Sequence, residues 1–162
     1  MCNPIMWTTR YVETAAGRLG WDAEAVSDGD LVVGTQVGRF AIANPAPGDP
    51  EYLHAYSLWD LPNDVDRAEL LEIATEVTME AKGIAVILPK GMTTVAFTYE
   101  GVVAGPDSLP TVDQLAAILP RVQRMLWNAA RVWFKKLEEA DDTSVLAGIE
   151  AATRAALADS DG

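Results

Sequence analysis

The sequence lacks the residues on which most recognisable enzyme and metal sites depend. Cys2 is the only cysteine and His54 the only histidine, so neither an intrachain disulfide nor a histidine-pair or Cys–His zinc site can form. No phosphate-binding glycine loop is present, and Asp28-Gly29-Asp30 lacks the later ligands of a calcium loop. No nucleophile-elbow pattern supports a catalytic triad through His54, which we interpret as structural. We therefore expect no enzyme activity, catalytic residue, cofactor or metal.

Basic residues and long apolar runs are also scarce. Twelve lysines and arginines face 24 aspartates and glutamates, which gives a net charge of −12. Such a field repels phosphate, so it disfavours nucleic acid and anionic membranes as partners. The longest strongly apolar stretch, Ile84 to Leu88, is far shorter than the roughly 20 residues of a membrane-spanning helix. The opening MCNPIMW has no signal-peptide character, so we expect a cytoplasmic protein.

The composition that remains is that of an ordinary globular protein. The chain has 162 residues, of which 49% are hydrophobic and 22% charged. This length fits one domain with its own core. From Glu138 onward, acidic residues oppose only Arg154 in an alanine-rich stretch. We therefore predict a single domain over residues 7–138 and an acidic C-terminal appendage over residues 139–162.

The N-terminal half predicts one helix and three strands. Aromatic and apolar residues at every fourth position, from Trp7 to Leu19, indicate a helix. The run from Leu31 to Ala43 predicts a hairpin that reverses around Gln36 to Gly38. A loop follows in which Pro45, Pro47 and Pro50 exclude a central strand. Tyr52 to Trp59 then predicts a third strand with alternating faces.

The following segment predicts a second helix and two more strands. Asp66 and Glu69 have the spacing of a capping box, and Gly83 is placed to end the helix. The β-branched run from Ile84 to Leu88 predicts a strand that is covered on both faces. Thr93 to Tyr99 predicts the returning strand. Glu100-Gly101 indicates a bulge or a second turn.

The last helix is expected to be the longest. Thr111 and Gln114 form a second capping-box pattern, and Pro120 must kink or restart the helix. A broad apolar face is expected to pack on the sheet; its members are Leu115, Ile118, Leu119, Val122, Leu126, Ala129, Trp133 and Leu137. Trp127 and Phe134 flank the edge of that face. The polar face includes the basic residues Arg121, Arg124, Arg131 and Lys135. We expect these four residues to bind either the acidic tail or an acidic part of a partner. The alternative is that they form a merely solvated face.

With this order of elements the chain resembles the type III secretion chaperone-like fold, and within it the YbjN-type branch common in bacteria. The resemblance covers roughly Thr8 to Glu138 and is carried by TTRYVETAAGRLGWD, DGDLVV, AELLEIATEV, GPDSLPTVDQL and WNAARVWFKKLEE. It implies an α+β fold: helix, three strands, helix, two strands, helix, with an antiparallel sheet of about five strands packed against the helices. It further implies an acidic homodimer that holds an extended or partly unfolded peptide.

The sequence therefore predicts a non-enzymatic, chaperone-like module that binds a peptide or protein client as a cytosolic dimer. An adaptor or immunity-type protein with one fixed globular partner is the alternative, and a small-molecule-binding or enzymatic α+β domain is a further one. The candidate contact residues are the apolar and aromatic Val37, Phe40, Tyr52, Tyr56, Trp59, Trp127 and Phe134, together with the basic Arg124 and Arg131. Most of the aromatic residues must also serve the core, so we expect fewer than half to be genuine contacts.

Overall fold

The computed structural model describes the backbone of residues 8–26, 29–43, 51–105 and 108–159. It describes the side chains of these residues except for residues 8–9 and 142–159. The elements in chain order are a π-helical turn (Thr8–Val12), α1 (Glu13–Arg18), β1 (Asp22–Ala25), β2 (Leu31–Thr35), β3 (Gly38–Ile42), β4 (Tyr52–Asp60), α2 (Arg67–Glu80), β5 (Ala85–Ile87), β6 (Thr94–Val102) and α3 (Val112–Asp159). Trp7, Asp28 and the predicted proline-rich loop lie outside the described residues.

The strands form one antiparallel sheet in the order β1-β2-β3-β4-β6-β5. The α+β class is as predicted, with one strand more than the sequence indicates. That strand is β1, which pairs with β2 from Asp22↔Gly34 to Ala25↔Leu31. Its DAEA sequence has no β-branched or aromatic residue and therefore little intrinsic preference for a strand. Pairing with β2, rather than its own pattern, makes it extended.

The predictions for the hairpin and for the third strand are confirmed. β2 and β3 pair from Leu31↔Ile42 to Thr35↔Gly38, which leaves a two-residue turn at Gln36 and Val37. β4 alternates as predicted. Leu53, Ala55 and Ser57 are buried, whereas Tyr52 and Leu58 on the opposite face are exposed.

Two predictions for the strands after α2 are wrong. β5 is an edge strand with Ala85 and Ile87 exposed, because the helices cover only one face of the sheet. β6 continues through Glu100-Gly101 without a bulge or turn. Its pairing with β4 is unbroken from Asp60↔Thr94 to Tyr52↔Val102, and this long ladder keeps the glycine extended.

Both predicted helix N-termini are present. The Asp66 carboxylate accepts a hydrogen bond from the Ala68 amide, and Thr111 and Gln114 exchange side-chain-to-amide bonds of 3.1 and 2.8 Å. α3 is a single helix of 48 residues that passes through Pro120, so the helix does not restart there. The alanine-rich stretch is the continuation of α3. The division of the chain at residue 138 stays a prediction.

All three helices contribute to one core on one face of the sheet. Of the eight residues of α3 that its apolar periodicity predicts, six are buried, namely Leu115, Leu119, Val122, Leu126, Ala129 and Trp133, whereas Ile118 and Leu137 are half-buried. Gln123 and Ala130 are buried as well, outside the predicted face. The Trp133 ring packs edge-on against Phe97 of β6, with ring centroids 6.1 Å apart. α3 therefore packs on the sheet as expected, and the opposite face of the sheet carries no helix among the described residues.

An ion-pair cluster fastens α2 to α3. The Lys136 ammonium lies 2.8 Å from both the Glu76 and the Glu80 carboxylates. The hydrogen bonds that Lys136 donates to these two carboxylates raise its pKa above the ordinary value. Lys136 of α3 thus neutralises part of the negative charge that Glu76 and Glu80 place on α2.

Candidate functional site

Three aromatic side chains from β4 and α3 meet at one edge of the core. Trp59 lies 5.8 Å from Trp127 and 5.3 Å from Phe134 between ring centroids, both in edge-on arrangements. Trp127 and Phe134 are seven residues apart, so they lie on the same side of α3. The two tryptophans are half-buried and Phe134 is 36% exposed. We refer to Trp59, Trp127 and Phe134 as the aromatic cluster.

The β2–β3 turn is held against this cluster. The Trp127 indole N–H donates a hydrogen bond of 3.1 Å to the Val37 carbonyl oxygen. Gln123, one helical turn earlier, donates to the Thr35 hydroxyl at 2.6 Å. Gly38 has φ = +147°, and a Cβ atom there would lie 2.1 Å from Cζ2 of Trp127. The Val37 side chain remains 63% exposed beside the cluster. Trp127 thus contacts both Trp59 and the turn.

Replacing Gly38 with alanine should disrupt this contact. The new methyl group would overlap the Trp127 ring at a φ that L-residues rarely adopt, so the turn or the indole must move. We expect a loss of about 1–3 kcal/mol in unfolding free energy, typical of overpacking, together with a change in tryptophan fluorescence.

Gly34→Ala is the matched control in the same hairpin. A Cβ at Gly34 meets only the Asp22 Cβ, at an ordinary 3.8 Å. Urea unfolding curves of the two variants should therefore separate clearly. Equal destabilisation would mean that the close approach of Trp127 to the turn does not hold in solution.

The remaining candidate residues lie elsewhere. Phe40 is 2% exposed and packs edge-on against Trp21, so its side chain does not reach the surface. Tyr52 and Tyr56 lie on the face of the sheet opposite the helices. The Tyr56 hydroxyl donates to the Asp30 carboxylate at 2.7 Å. The structure thus brings Val37 together with the aromatic cluster and separates it from the two tyrosines.

The open face of the sheet carries the sole histidine and several exposed apolar side chains. The exposed apolar residues are Tyr52, Leu58, Ile87 and Val102. Between them, Nε2 of His54 lies 4.0 Å from a carboxylate oxygen of Glu100, its partner across β4 and β6. This pair is surface-exposed. No group of three or more His, Cys, Asp or Glu side chains that could hold a metal ion occurs in the described part of the chain.

A basic groove lies between α3 and the turn that follows α2. It has a volume of about 480 Å³ and is lined by Glu80, Ala81, Lys82, Arg121, Arg124, Met125 and Asn128. Arg131 lies just outside and donates a hydrogen bond to Asn128. The sequence indicates the arginines of this groove but not Lys82. That lysine joins them only because the turn folds onto α3, and no periodic pattern connects the two segments.

Two solved structures share this fold. The first is the crystal structure of YbjN from E. coli, with a TM-score of 0.58, 8% identity, and coverage of 79% of this chain and 90% of that chain. The second is the structure of the HopA1–SchA chaperone–effector complex, with a TM-score of 0.54, 13% identity, and coverage of 80% and 94%. The predicted chaperone-like, YbjN-type fold is therefore confirmed.

Sequence comparison adds nothing to this likeness. No protein-family model matches the chain, and a search of the curated proteins finds no match. Within residues 8–26, 29–43, 51–105 and 108–159, no helix combines the length and apolar character that crossing a bilayer requires.

Proposed function

We propose that this protein is a non-enzymatic, chaperone-like module that binds an extended segment of a protein client in the cytoplasm. The aromatic cluster is the observation that carries the proposal. Half-buried Trp59 contacts both half-buried Trp127 and the partly exposed Phe134 near the surface, and the exposed Val37 lies beside them. Aromatic side chains of this kind dominate the energetics of protein interfaces, because they bury large areas at a small entropic cost.

The geometry of the cluster suits an apolar anchor of the client. Phe134 projects from α3, while Trp127 is fixed by its bond to the Val37 carbonyl, so the surface is largely preformed. A preformed surface loses little conformational entropy on binding. The fold supports the same proposal, because one of its structural neighbours is a chaperone–effector complex.

The edge strand β5 offers a second means of holding an extended client. β5 is the last strand of the sheet, and it presents the short apolar segment Ala85–Ile87. An added strand pairs with the backbone of such an edge through main-chain hydrogen bonds, while side-chain pockets give selectivity. At β5 the Val86 amide already donates a hydrogen bond of 3.0 Å to the Thr78 hydroxyl of α2, so a client strand would have to displace that bond. Main-chain pairing at β5 and aromatic anchoring at α3 would together select an extended segment with apolar side chains.

We further propose that the protein acts as a homodimer. The open face of the sheet presents Tyr52, Leu58, Ile87 and Val102 to solvent, and apolar surface of this kind favours association. Light scattering of the purified full chain should give about twice its 17.4 kDa mass at micromolar concentration. A 17.4 kDa species alone would contradict the dimer but not the binding of a client.

Co-purification from the native cytosol followed by mapping of the captured client tests the proposed function. We expect one segment of the client, prepared separately, to bind the purified protein and to gain order on binding. A client that binds only as a folded domain would favour the adaptor alternative. Turnover of a metabolite by the purified protein, abolished by His54→Ala, would overturn the non-enzymatic proposal.

A further inference from the structure

The basic groove is unusual because, among the described residues of a strongly acidic protein, its cations form no ion pairs. Within the described residues, Lys82, Arg121 and Arg124 form no ion pair, and Arg124 bonds only to the Pro120 carbonyl of its own helix. Glu80, the one carboxylate that lines the groove, is bound by Lys136 at 2.8 Å. The groove therefore presents three cations without an ion-pair partner beside one carboxylate that Lys136 partly neutralises, on a chain whose net charge is −12.

The groove is built by close packing and not by chance orientation of long side chains. Gly83 has φ = +69°, and a Cβ there would lie 2.7 Å from Cε of Met125, so the turn sits directly on α3. This contact brings Lys82 to the same depression as Arg121 and Arg124, which are one helical turn apart. Half-buried Met125 supplies an apolar part of the lining between the charges.

As far as Asp159, the backbone of the acidic tail leads away from this groove. α3 is continuous from Val112 to Asp159, so Glu138 lies about 21 Å further along the helix than Arg124. Lys135, the last of the four basic residues on the polar face of α3, does pair with Glu139 at 3.7 Å. Glu139 of the tail therefore pairs with Lys135, and the groove remains open to a ligand from outside the chain.

We propose that the basic groove binds an acidic segment of a protein partner through carboxylate side chains. Two guanidinium groups one turn apart present donor forks that match carboxylates bidentately, and Lys82 adds a third charge. Met125 accommodates an apolar side chain between the acids. No residue that lines the groove belongs to the aromatic cluster, so this proposal holds whether or not the client proposed above is correct.

A labelled peptide tests the proposal on the full-length protein. The probe carries two Asp-Glu pairs on either side of a leucine, and its control carries Asn-Gln pairs instead. Fluorescence anisotropy at low ionic strength should show binding of the acidic peptide only. The affinity should fall as salt is added, because exposed charges are screened within about 10 Å at 0.1 M salt.

Charge reversal at two positions separates the groove from the overall field. Arg124→Glu should weaken binding of the acidic peptide by about tenfold or more, because it places a carboxylate in the groove. Lys90→Glu makes the same change in net charge in the turn after β5, near the opposite end of α2, and should change affinity by less than about twofold. Arg124→Lys keeps the charge without the fork and should give an intermediate loss. Thermal unfolding of each variant checks that the fold is retained.

Any one of three other outcomes would overturn the proposal. Equal effects of Arg124→Glu and Lys90→Glu would mean that only the net charge acts. Tighter binding of inorganic phosphate, or of a single-stranded RNA, would assign the groove to another ligand class. Dissociation of an oligomer in Arg124→Glu, without peptide binding by the original protein, would assign it to a second copy of the chain. Phe134→Ala should leave acidic-peptide affinity unchanged, which keeps this test independent of the aromatic cluster.

Discussion

Trp133→Ala should destabilise the protein by about 3–5 kcal/mol, the usual cost of removing a buried tryptophan. Trp133 is fully buried on the apolar face of α3, and its ring meets Phe97 in the middle of the paired length of β6. Truncation would leave a cavity between helix and sheet that neither element can close without moving its backbone. Urea unfolding followed by circular dichroism should show the loss as a lower midpoint with an unchanged slope.

Two further variants make this result specific. The indole N–H of Trp133 is buried and has no hydrogen-bond partner, so Trp133→Phe keeps part of the ring contact while removing an unsatisfied donor. We expect it to retain most of the stability lost by the alanine variant. Arg131→Ala, two residues earlier on the exposed face, should stay within about 0.5 kcal/mol of the original protein. A similar small loss for Trp133→Ala would contradict the packing of α3 on the sheet.

Long periodic segments made much of this fold predictable. The buried residues of α3 follow directly from a stripe sustained over many turns, and the alternation in β4 follows from a strand with one covered face. Local capping chemistry also fixed where the helices begin, because Thr111 and Gln114 satisfy each other's amides within four residues. In these places the residues that determine the local structure are close together in the sequence, so the structure can be predicted from the sequence alone.

The predictions failed where the cause lies in another segment. β1 is a strand because the backbone of β2 offers it hydrogen-bond partners, which the DAEA sequence does not reveal. The run from Ile84 to Leu88 predicts a strand covered on both faces, but only its two ends are buried and its middle lies in an edge strand with one open face. A short apolar run has the same composition in both positions.

The candidate site shows the same limit. Spacing on α3 placed Trp127 and Phe134 on one side of the helix, but no local pattern showed that Trp59 would meet them. Phe40 and Trp59 both alternate toward the helix-covered face of the sheet. Phe40 is enclosed by the core, whereas Trp59, near the end of β4, stays partly accessible. That difference depends on where α3 crosses the sheet, so only the three-dimensional structure separates a core aromatic from a surface one.

Phe134→Ala should weaken binding of the mapped client segment by at least about 2 kcal/mol, the size expected of an interface hot spot. Phe134 is the most accessible member of the aromatic cluster, so its removal costs binding surface with little loss of core packing. Isothermal titration with the client segment measures the affinity, and the melting transition should stay nearly in place. Trp127→Ala should lower both affinity and stability, because the indole also holds the Val37 carbonyl.

Met79→Ala is the matched control for this last prediction. Met79 is an apolar residue of α2 that is 82% exposed, so its truncation removes comparable surface away from the aromatic cluster. We expect its effect on client affinity to stay within about 0.5 kcal/mol. Equal losses for Phe134→Ala and Met79→Ala would indicate nonspecific apolar association. Full affinity in Phe134→Ala would move the client site away from α3, and the edge strand β5 would then become the surface to test.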